Sequence, residues 1–282
     1  GLLRLFLVIP MGFLESTARE VLEFTTEAVF SERYARAEGL LQGLDPRVKL
    51  VSLFTLVTAV VMLKSMGALL VFYTIPLALA VASGVNPLAF VKRVWLFIPL
   101  FTGVIALPSI FMIPGKELFT VPILGWGATR EGVYWATLFT LRVATAVSYA
   151  ILFTMTTRWN DVVSALSSLR VPGMVITITT LAYRYLFLLA KLLLDAMHAR
   201  RARLAGDLGM VESWKEAGKH IGATFIKANA LGEEVYYAML SRGYDNEVVN
   251  QSDLHFSGAD YAASAATVLL VLLAFLLERG LP

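Results

Sequence analysis

Met66-Gly67-Ala68-Leu69-Leu70-Val71-Phe72-Tyr73-Thr74-Ile75-Pro76-Leu77-Ala78-Leu79-Ala80-Val81-Ala82 lies inside residues 65–91, a run of 27 positions without a charge. A helix needs roughly 20 apolar residues to cross the hydrocarbon core of a bilayer. Two more charge-free runs follow, 22 residues at 94–115 and 17 at 261–277. The chain of 282 residues is 57% hydrophobic, and its mean hydropathy is +0.70. Soluble domains run near about 45–50% apolar. The runs are continuous rather than alternating, so helices and not barrel strands are expected to span. The expected fold class is all-α: a polytopic helical membrane protein of about five spans, six if residues 1–14 also cross, with amphipathic helices on the cytoplasmic side.

The spans can be placed by their punctuation. Asp45-Pro46 is a helix-start signal, a cap oxygen followed by a proline whose missing N–H costs nothing in the first turn. The first span then covers about Arg47–Leu63, with a charge-free core of 14 residues. Lys49 and Lys64 are expected to snorkel to the interfaces. Further spans are read at about Met66–Ala82, Val94–Phe111 (bent or broken near Pro99 and Pro108), Val133–Thr154 and Tyr261–Leu277. Residues 112–131, with Pro114, Pro122, Gly125 and Gly127, read as a loop. Residues 15–37 alternate charges with apolar side chains, the pattern of an amphipathic surface helix.

Residues 156–257 are the long polar region. Asn160 reads as the cap of a short amphipathic helix that ends at Val171-Pro172-Gly173. Long helices are expected at about Met174–Ala205 and Val211–Arg242. The resulting segments are 1–44 (amphipathic N-terminal part), 45–155 (four spans), 156–257 (cytoplasmic helices) and 258–282 (last span). Lysine and arginine cluster at 33–49, at Lys92-Arg93 and through 191–242, and the positive-inside rule puts all three clusters in the cytoplasm. With the N-terminus inside, four spans return the chain inside near residue 155. Parity therefore reads 174–205 as lying in or beneath the inner leaflet. A net charge of +3 is then topology rather than nucleic-acid binding.

Catalytic signatures do not emerge. The chain has no cysteine, no phosphate-cradling Gly-rich loop followed by Lys, no HExxH and no GxSxG. His198, His220 and His255 are scattered, so no metal site is expected in this chain. A lipid-modifying transferase or a self-sufficient permease are the alternatives. The first would need converging acids or nucleophiles in the spans, and the second would show paired broken helices.

Leu44-Asp45-Pro46-Arg47-Val48-Lys49-Leu50 resembles the entry motif of the T component of energy-coupling-factor transporters, the EcfT/CbiQ family. Thr156-Thr157-Arg158-Trp159-Asn160-Asp161-Val162-Val163-Ser164-Ala165-Leu166, ending in Val171-Pro172, is similar to its first coupling helix. Ala182-Tyr183-Arg184-Tyr185-Leu186-Phe187 is similar to the start of its second. Ala28-Val29-Phe30-Ser31-Glu32-Arg33-Tyr34-Ala35-Arg36 and Ala106-Leu107-Pro108-Ser109-Ile110-Phe111 resemble the cobalt-type branch. The resemblance covers about residues 15–277.

This resemblance implies a scaffold that joins two ATP-binding-cassette subunits (or a homodimer) to a substrate-capturing membrane subunit, with a small accessory membrane protein as a further partner. ATP and the cobalt or nickel ion would be held by those partners, so no cofactor is expected in this chain and no enzymatic activity of its own. Its implied location is a prokaryotic cytoplasmic membrane, with the lipid bilayer as its surroundings. The family's paired X-Arg-X motifs match Ala202-Arg203-Leu204 and Ser241-Arg242-Gly243, the implied ATPase-coupling residues. The first match carries Leu204 where the family often has glycine, and Arg200 and Arg201 compete for its register.

A structural or coupling set comprises Arg142, Arg184, Asp45, Pro46 and Arg47, together with Arg200 and Arg201. For Arg142, near mid-membrane, a functional charge and a hydrogen bond to helix ends are both open. For Arg184 a salt bridge to Asp161 or Glu216 is expected.

Overall fold

The computed structural model describes residues 35, 39–121, 126–202, 210–244 and 256–280. The segments read as an N-terminal apolar stretch and a surface helix over 15–37 lie outside the described residues, apart from Ala35. Contacts divide the chain into two compact units. One holds the described residues up to Leu169 together with those from Phe256 onward, and the other runs from Arg170 to Tyr244.

The first unit is a helical bundle: α1 (Pro46–Met62), α2 (Met66–Ala82), α3 (Pro87–Met112), a hairpin of β1 (Glu117–Val121) and β2 (Trp126–Thr129), α4 (Arg130–Thr156), α5 (Trp159–Ser168) and α8 (Gly258–Gly280). All five expected spans are helices. Arg130–Thr156 and Gly258–Glu278 are each long and apolar enough to cross a membrane, and Met66–Ala82 is a shorter apolar helix. The chain is an all-α helical membrane protein. The hairpin is a small departure from the loop expected at 112–131. It pairs Phe119 with Ala128, Thr120 with Gly127 and Val121 with Trp126, with an irregularity between Glu117 and Phe119. Turn-rich composition marked the connection but not the short strands on each side of it.

α3 runs unbroken from Pro87 to Met112 through Pro99 and Pro108. Its N-terminus repeats the logic of α1: Asn86 accepts from the Leu88 N–H at 3.0 Å, and Pro87 follows in the first turn.

α4 is the centre of the bundle, packing against α1, α2 and α3. Its buried stripe includes small residues, Ala144, Thr145 and Ser148. Small side chains let membrane helices approach closely. Thr145 and Ser148 return their hydroxyl protons to the carbonyls of Leu141 and Ala144. At the N-terminus of α4, Thr129 caps the Gly132 N–H at 3.1 Å and donates to the Ile113 carbonyl at 2.8 Å. A Cβ at Gly132 would meet the Ile110 carbonyl oxygen at 2.5 Å, so this crossing requires glycine.

Two apolar clusters fill the bundle. Leu56, Val60, Leu63, Leu69, Phe72 and Leu138 belong to one. Ala80, Val85, Phe90, Val94, Leu152 and Met155 belong to the other. Pro76 sits inside α2, and a helical proline cannot donate to the carbonyl four residues earlier. That carbonyl, of Phe72, is instead taken by the Tyr149 hydroxyl at 3.3 Å. A neighbouring helix thus satisfies the group the proline leaves open, as a spanning helix requires.

In the second unit, α6 (Gly173–Arg201) packs against α7 (Met210–Ser241). Both fall close to the expected long helices. Gly173–Ala196 has the length and composition to cross a membrane, so the in-plane reading rests on charge parity and not on length.

Candidate functional site

Asp45, Pro46, Arg47 and Lys49 all serve one junction. Asp45 is the N-cap of α1, and its Oδ1 accepts from the Arg47 N–H at 2.8 Å, with Pro46 in the first turn. Its own N–H donates to Asp260 Oδ1 at 2.6 Å. Asp260, 1% exposed, accepts the Ser257 N–H at 2.7 Å and hydroxyl at 2.8 Å through Oδ2. A carboxylate at the third helical position reaching back to the cap N–H is one half of a capping box. The same side chain thereby starts α8 and fastens it to α1. The Arg47 guanidinium lies 5.8 Å from the centroid of the Phe256 ring, a cation–π distance.

Lys49 corrects the expectation that it snorkels. It is buried, and its ammonium donates to the Thr156 carbonyl at 3.2 Å. A cation at the last residue of α4 meets the negative end of that helix and an otherwise open carbonyl. Chain entry into α1, exit from α4 and entry into α8 are therefore tied at one place. Thr267 bonds Ser52 at 3.0 Å farther along α1, and Glu278 accepts the Lys64 N–H at 3.0 Å at the far end. The capping-box spacing Ser257-Gly258-Ala259-Asp260 could have marked the start of α8, but nothing in the sequence pointed to the tie of Asp260 to α1. Its partner is 215 positions away in the chain.

Arg142 makes a hydrogen bond to a helix end, one of the two roles the sequence left open. Its Nη2 donates to the Leu63 carbonyl at 2.7 Å, and Leu63 is the C-cap of α1. The charge sits against the negative end of a helix. α5 also differs in detail from the sequence reading. Its N-cap is Arg158, so Asn160 lies in the first turn rather than capping it. It ends at Ser168 with Arg170 in the left-handed region at φ 64°, just before Val171-Pro172.

In the second unit, Ser241-Arg242-Gly243 is a helix stop. Tyr244 N–H donates to the Met239 carbonyl at 3.0 Å, and Gly243 N–H donates to the Leu240 carbonyl at 3.0 Å. Gly243 has φ +78°. This is the Schellman arrangement, in which the left-handed residue is usually glycine because a Cβ is strained there. Arg242 is the C-cap residue, and it is exposed. Ser241 returns its hydroxyl proton to the Tyr237 carbonyl at 2.9 Å. The serine and glycine serve the turn, and the arginine side chain is left to face outward at the negative end of α7.

Arg200 and Arg201 belong to the last turn of α6, and Ala202 follows in an exposed turn. Arg203 and Leu204 lie outside the described residues. The Arg184 guanidinium lies 5.7 Å from the Tyr185 ring centroid; the side chain of Glu216, one of its two expected salt-bridge partners, lies outside the described residues. Between α6 and α7 is a cavity of about 940 Å³, lined by residues including Met174, Ile178, Tyr185, Val235, Tyr236 and Met239, with Tyr244 of the helix stop at its wall. Among the described residues no group of three or more His, Cys, Asp or Glu side chains could hold a metal ion.

A helical bundle with polar groups tied into helix junctions, joined in sequence to a long helix pair, defines a helical membrane protein. The profile of the cobalt transport protein family, CbiQ, matches residues 38–253. The chain belongs to this family. It is 45% identical over 272 residues to an uncharacterised protein of Methanocaldococcus jannaschii, covering 95% of this chain and 92% of that one. A second uncharacterised protein of the same organism is 24% identical over 241 residues, covering 84% and 89%. The nickel permease LarQ of Lactiplantibacillus plantarum is 24% identical over 135 residues, covering 48% and 49%.

Proposed function

We propose that this chain is the transmembrane coupling subunit of an energy-coupling-factor importer for cobalt or nickel. The observation that carries the reading is the helix stop at Ser241-Arg242-Gly243, which fixes the end of a 32-residue helix and leaves Arg242 exposed there. At about 1.5 Å per residue, α7 is a rod of roughly 48 Å. A movement received at its arginine end is delivered along its whole length. Membership of the cobalt transport protein family and likeness to a nickel permease support the substrate class.

In this reading two ATP-binding-cassette subunits hydrolyse ATP, and each receives one arginine-bearing helix end, Arg242 from α7 and Arg203 beyond α6. A guanidinium fork holds carboxylates or carbonyls with fixed geometry, which an ammonium does not. A substrate-capturing membrane subunit brings the metal ion. The chain sits in the cytoplasmic membrane with its N-terminus and both arginine motifs inside, as the charge distribution implies.

A graded series at one position tests the role of Arg242. Arg242→Ala should lower uptake-coupled ATP hydrolysis more than assembly, because the second motif still holds the complex. Arg242→Lys should restore only part of it. Equal activity of the lysine and arginine forms would mean that charge alone matters, and the fork-in-socket reading would fail.

A further inference from the structure

In the first unit, α1, α2, α4 and α8 surround a cleft of about 440 Å³ whose walls are almost wholly apolar. An engineered cavity of about 150 Å³ in a protein core is large enough for benzene; this one is about three times that size. One wall is a row of small residues on α8, Ala259, Ala262, Ala263 and Ala266, and the floor reaches Leu270. From Ala259 to Leu270 the helix rises roughly 16 Å. That is about half of a ~30 Å hydrocarbon core, the reach of a chain in one leaflet.

The two ends differ. Toward one end the lining is Leu56, Ile75 and Leu270, and toward the other it includes Lys49 and Thr156. Lys49 is 9% exposed. An ammonium has three donors, and among the described residues only the Thr156 carbonyl accepts from it. Asp45 and Asp260 direct their described bonds to backbone N–H groups and to Ser257 instead. The cleft is thus elongated, apolar along its length and supplied with spare hydrogen-bond donors at the end where α1 and α8 begin.

We propose that this cleft binds one hydrocarbon tail of a membrane lipid, with an oxygen acceptor of its head-group end taken by Lys49. The alanines of α8 leave the width for the chain. Its head lies at the junction of α1, α4 and α8, and its end rests on Leu56 and Leu270. The bound tail completes the packing of α8 against the bundle. The inference rests on the chain spanning a bilayer and not on the coupling role.

The test has two arms. The intact chain is reconstituted in vesicles of phosphatidylethanolamine and phosphatidylglycerol doped with a phospholipid bearing a diazirine on its acyl chain, and is then irradiated. Crosslinks should concentrate on Ser52, Ala263 and Ala266. Crosslinks spread evenly over the exposed face at Leu269 and Leu272, or absent from the cleft because another part of the chain fills it, would overturn the proposal. In the second arm, native mass spectrometry of the protein in mild detergent should show one retained adduct per chain. Its mass separates a phospholipid from a free fatty acid, either of which supplies the tail. Ala263→Leu with Ala266→Leu should lower that occupancy severalfold, and Leu269→Ala should not. An unchanged adduct in the double leucine variant contradicts the site. If that variant does not fold, the crosslinking arm on the wild-type chain decides.

Discussion

The bundle of α1–α5 and α8 and the pair α6–α7 are both rich in apolar residues, yet they present them in opposite company. On the bundle, exposed side chains such as Leu96 on α3 and Leu269, Leu272 and Leu276 on α8 sit in charge-free runs. Several polar groups inside it donate to backbone carbonyls: Arg142 to Leu63, Lys49 to Thr156, Tyr149 to Phe72. On α7, Phe225 and Ile226 are 75% and 71% exposed, but exposed Lys215, Lys227, Glu233 and Glu234 are interleaved with them. A charge-free apolar surface suits hydrocarbon, where each unpaired charge is costly. An apolar surface mixed with charges suits a protein partner, whose rim can pair them. Polar residues in the bundle hold the fold, and those at the end of α7 are left for something else.

That contrast can be broken by substitutions that should separate stability from coupling. The largest stability loss should come from Asp260→Ala in the bundle. It removes the acceptor for Asp45, for Ser257 N–H and for its hydroxyl, and leaves buried donors unpaired. The expected loss is about 3 kcal/mol, read as a lowered thermal midpoint in detergent, with uptake falling in step with folded protein. An unchanged midpoint would mean that the α1–α8 junction does not hold the bundle together.

Tyr149→Phe is gentler. It strips the Phe72 carbonyl of its substitute donor while keeping the ring in the core. A loss of about 1–2 kcal/mol is expected. A second change, Pro76→Ala, restores a helical N–H to that carbonyl, so in its presence Tyr149→Phe should cost much less. Additive effects of the two changes would separate the tyrosine from the proline.

Gly243→Ala should cost the least stability, about 1 kcal/mol for an L-residue held at positive φ, yet it should disturb coupling more than either bundle variant relative to its effect on folding. The strained stop re-aims Arg242 and Tyr244. The ratio of ATPase co-purified to folded subunit measures this. If that ratio is unchanged while the midpoint falls, the geometry of the stop is irrelevant to partners.

How far the sequence foretold this differs between the two regions for a physical reason. The start of α1 was legible at Asp45-Pro46, because caps are local. The helices at the five expected spans were legible from long apolar stretches, because a bilayer demands apolar length. The fates of Lys49 and Arg142 were not. A lysine near a helix start snorkels unless a distant carbonyl, here Thr156, is brought to it, and only the fold does that. Ser257-Gly258-Ala259-Asp260 carries a local helix-start signal, but the tie of Asp260 to the N–H of Asp45 is set only by the fold. The hairpin was hidden by its prolines and glycines, which announce a turn but not the pairing around it. Ser241-Arg242-Gly243 was legible as an arginine-bearing motif, and the structure adds that its glycine and serine are consumed by the turn.

The central claim, that the arginine-bearing helix ends connect this membrane subunit to ATPases, is tested most directly by co-purification and metal uptake measured in the same cells for Arg203→Ala combined with Arg242→Ala. Losing one desolvated charged contact should cost on the order of 2–5 kcal/mol of interface free energy, and losing both removes the mutual reinforcement of two linked contacts. The expected result is a subunit that remains folded in the membrane, comes down without ATPase subunits and supports no cobalt or nickel uptake. Wild-type levels of both ATPase recovery and uptake would show that these arginines only set topology, and would contradict the account.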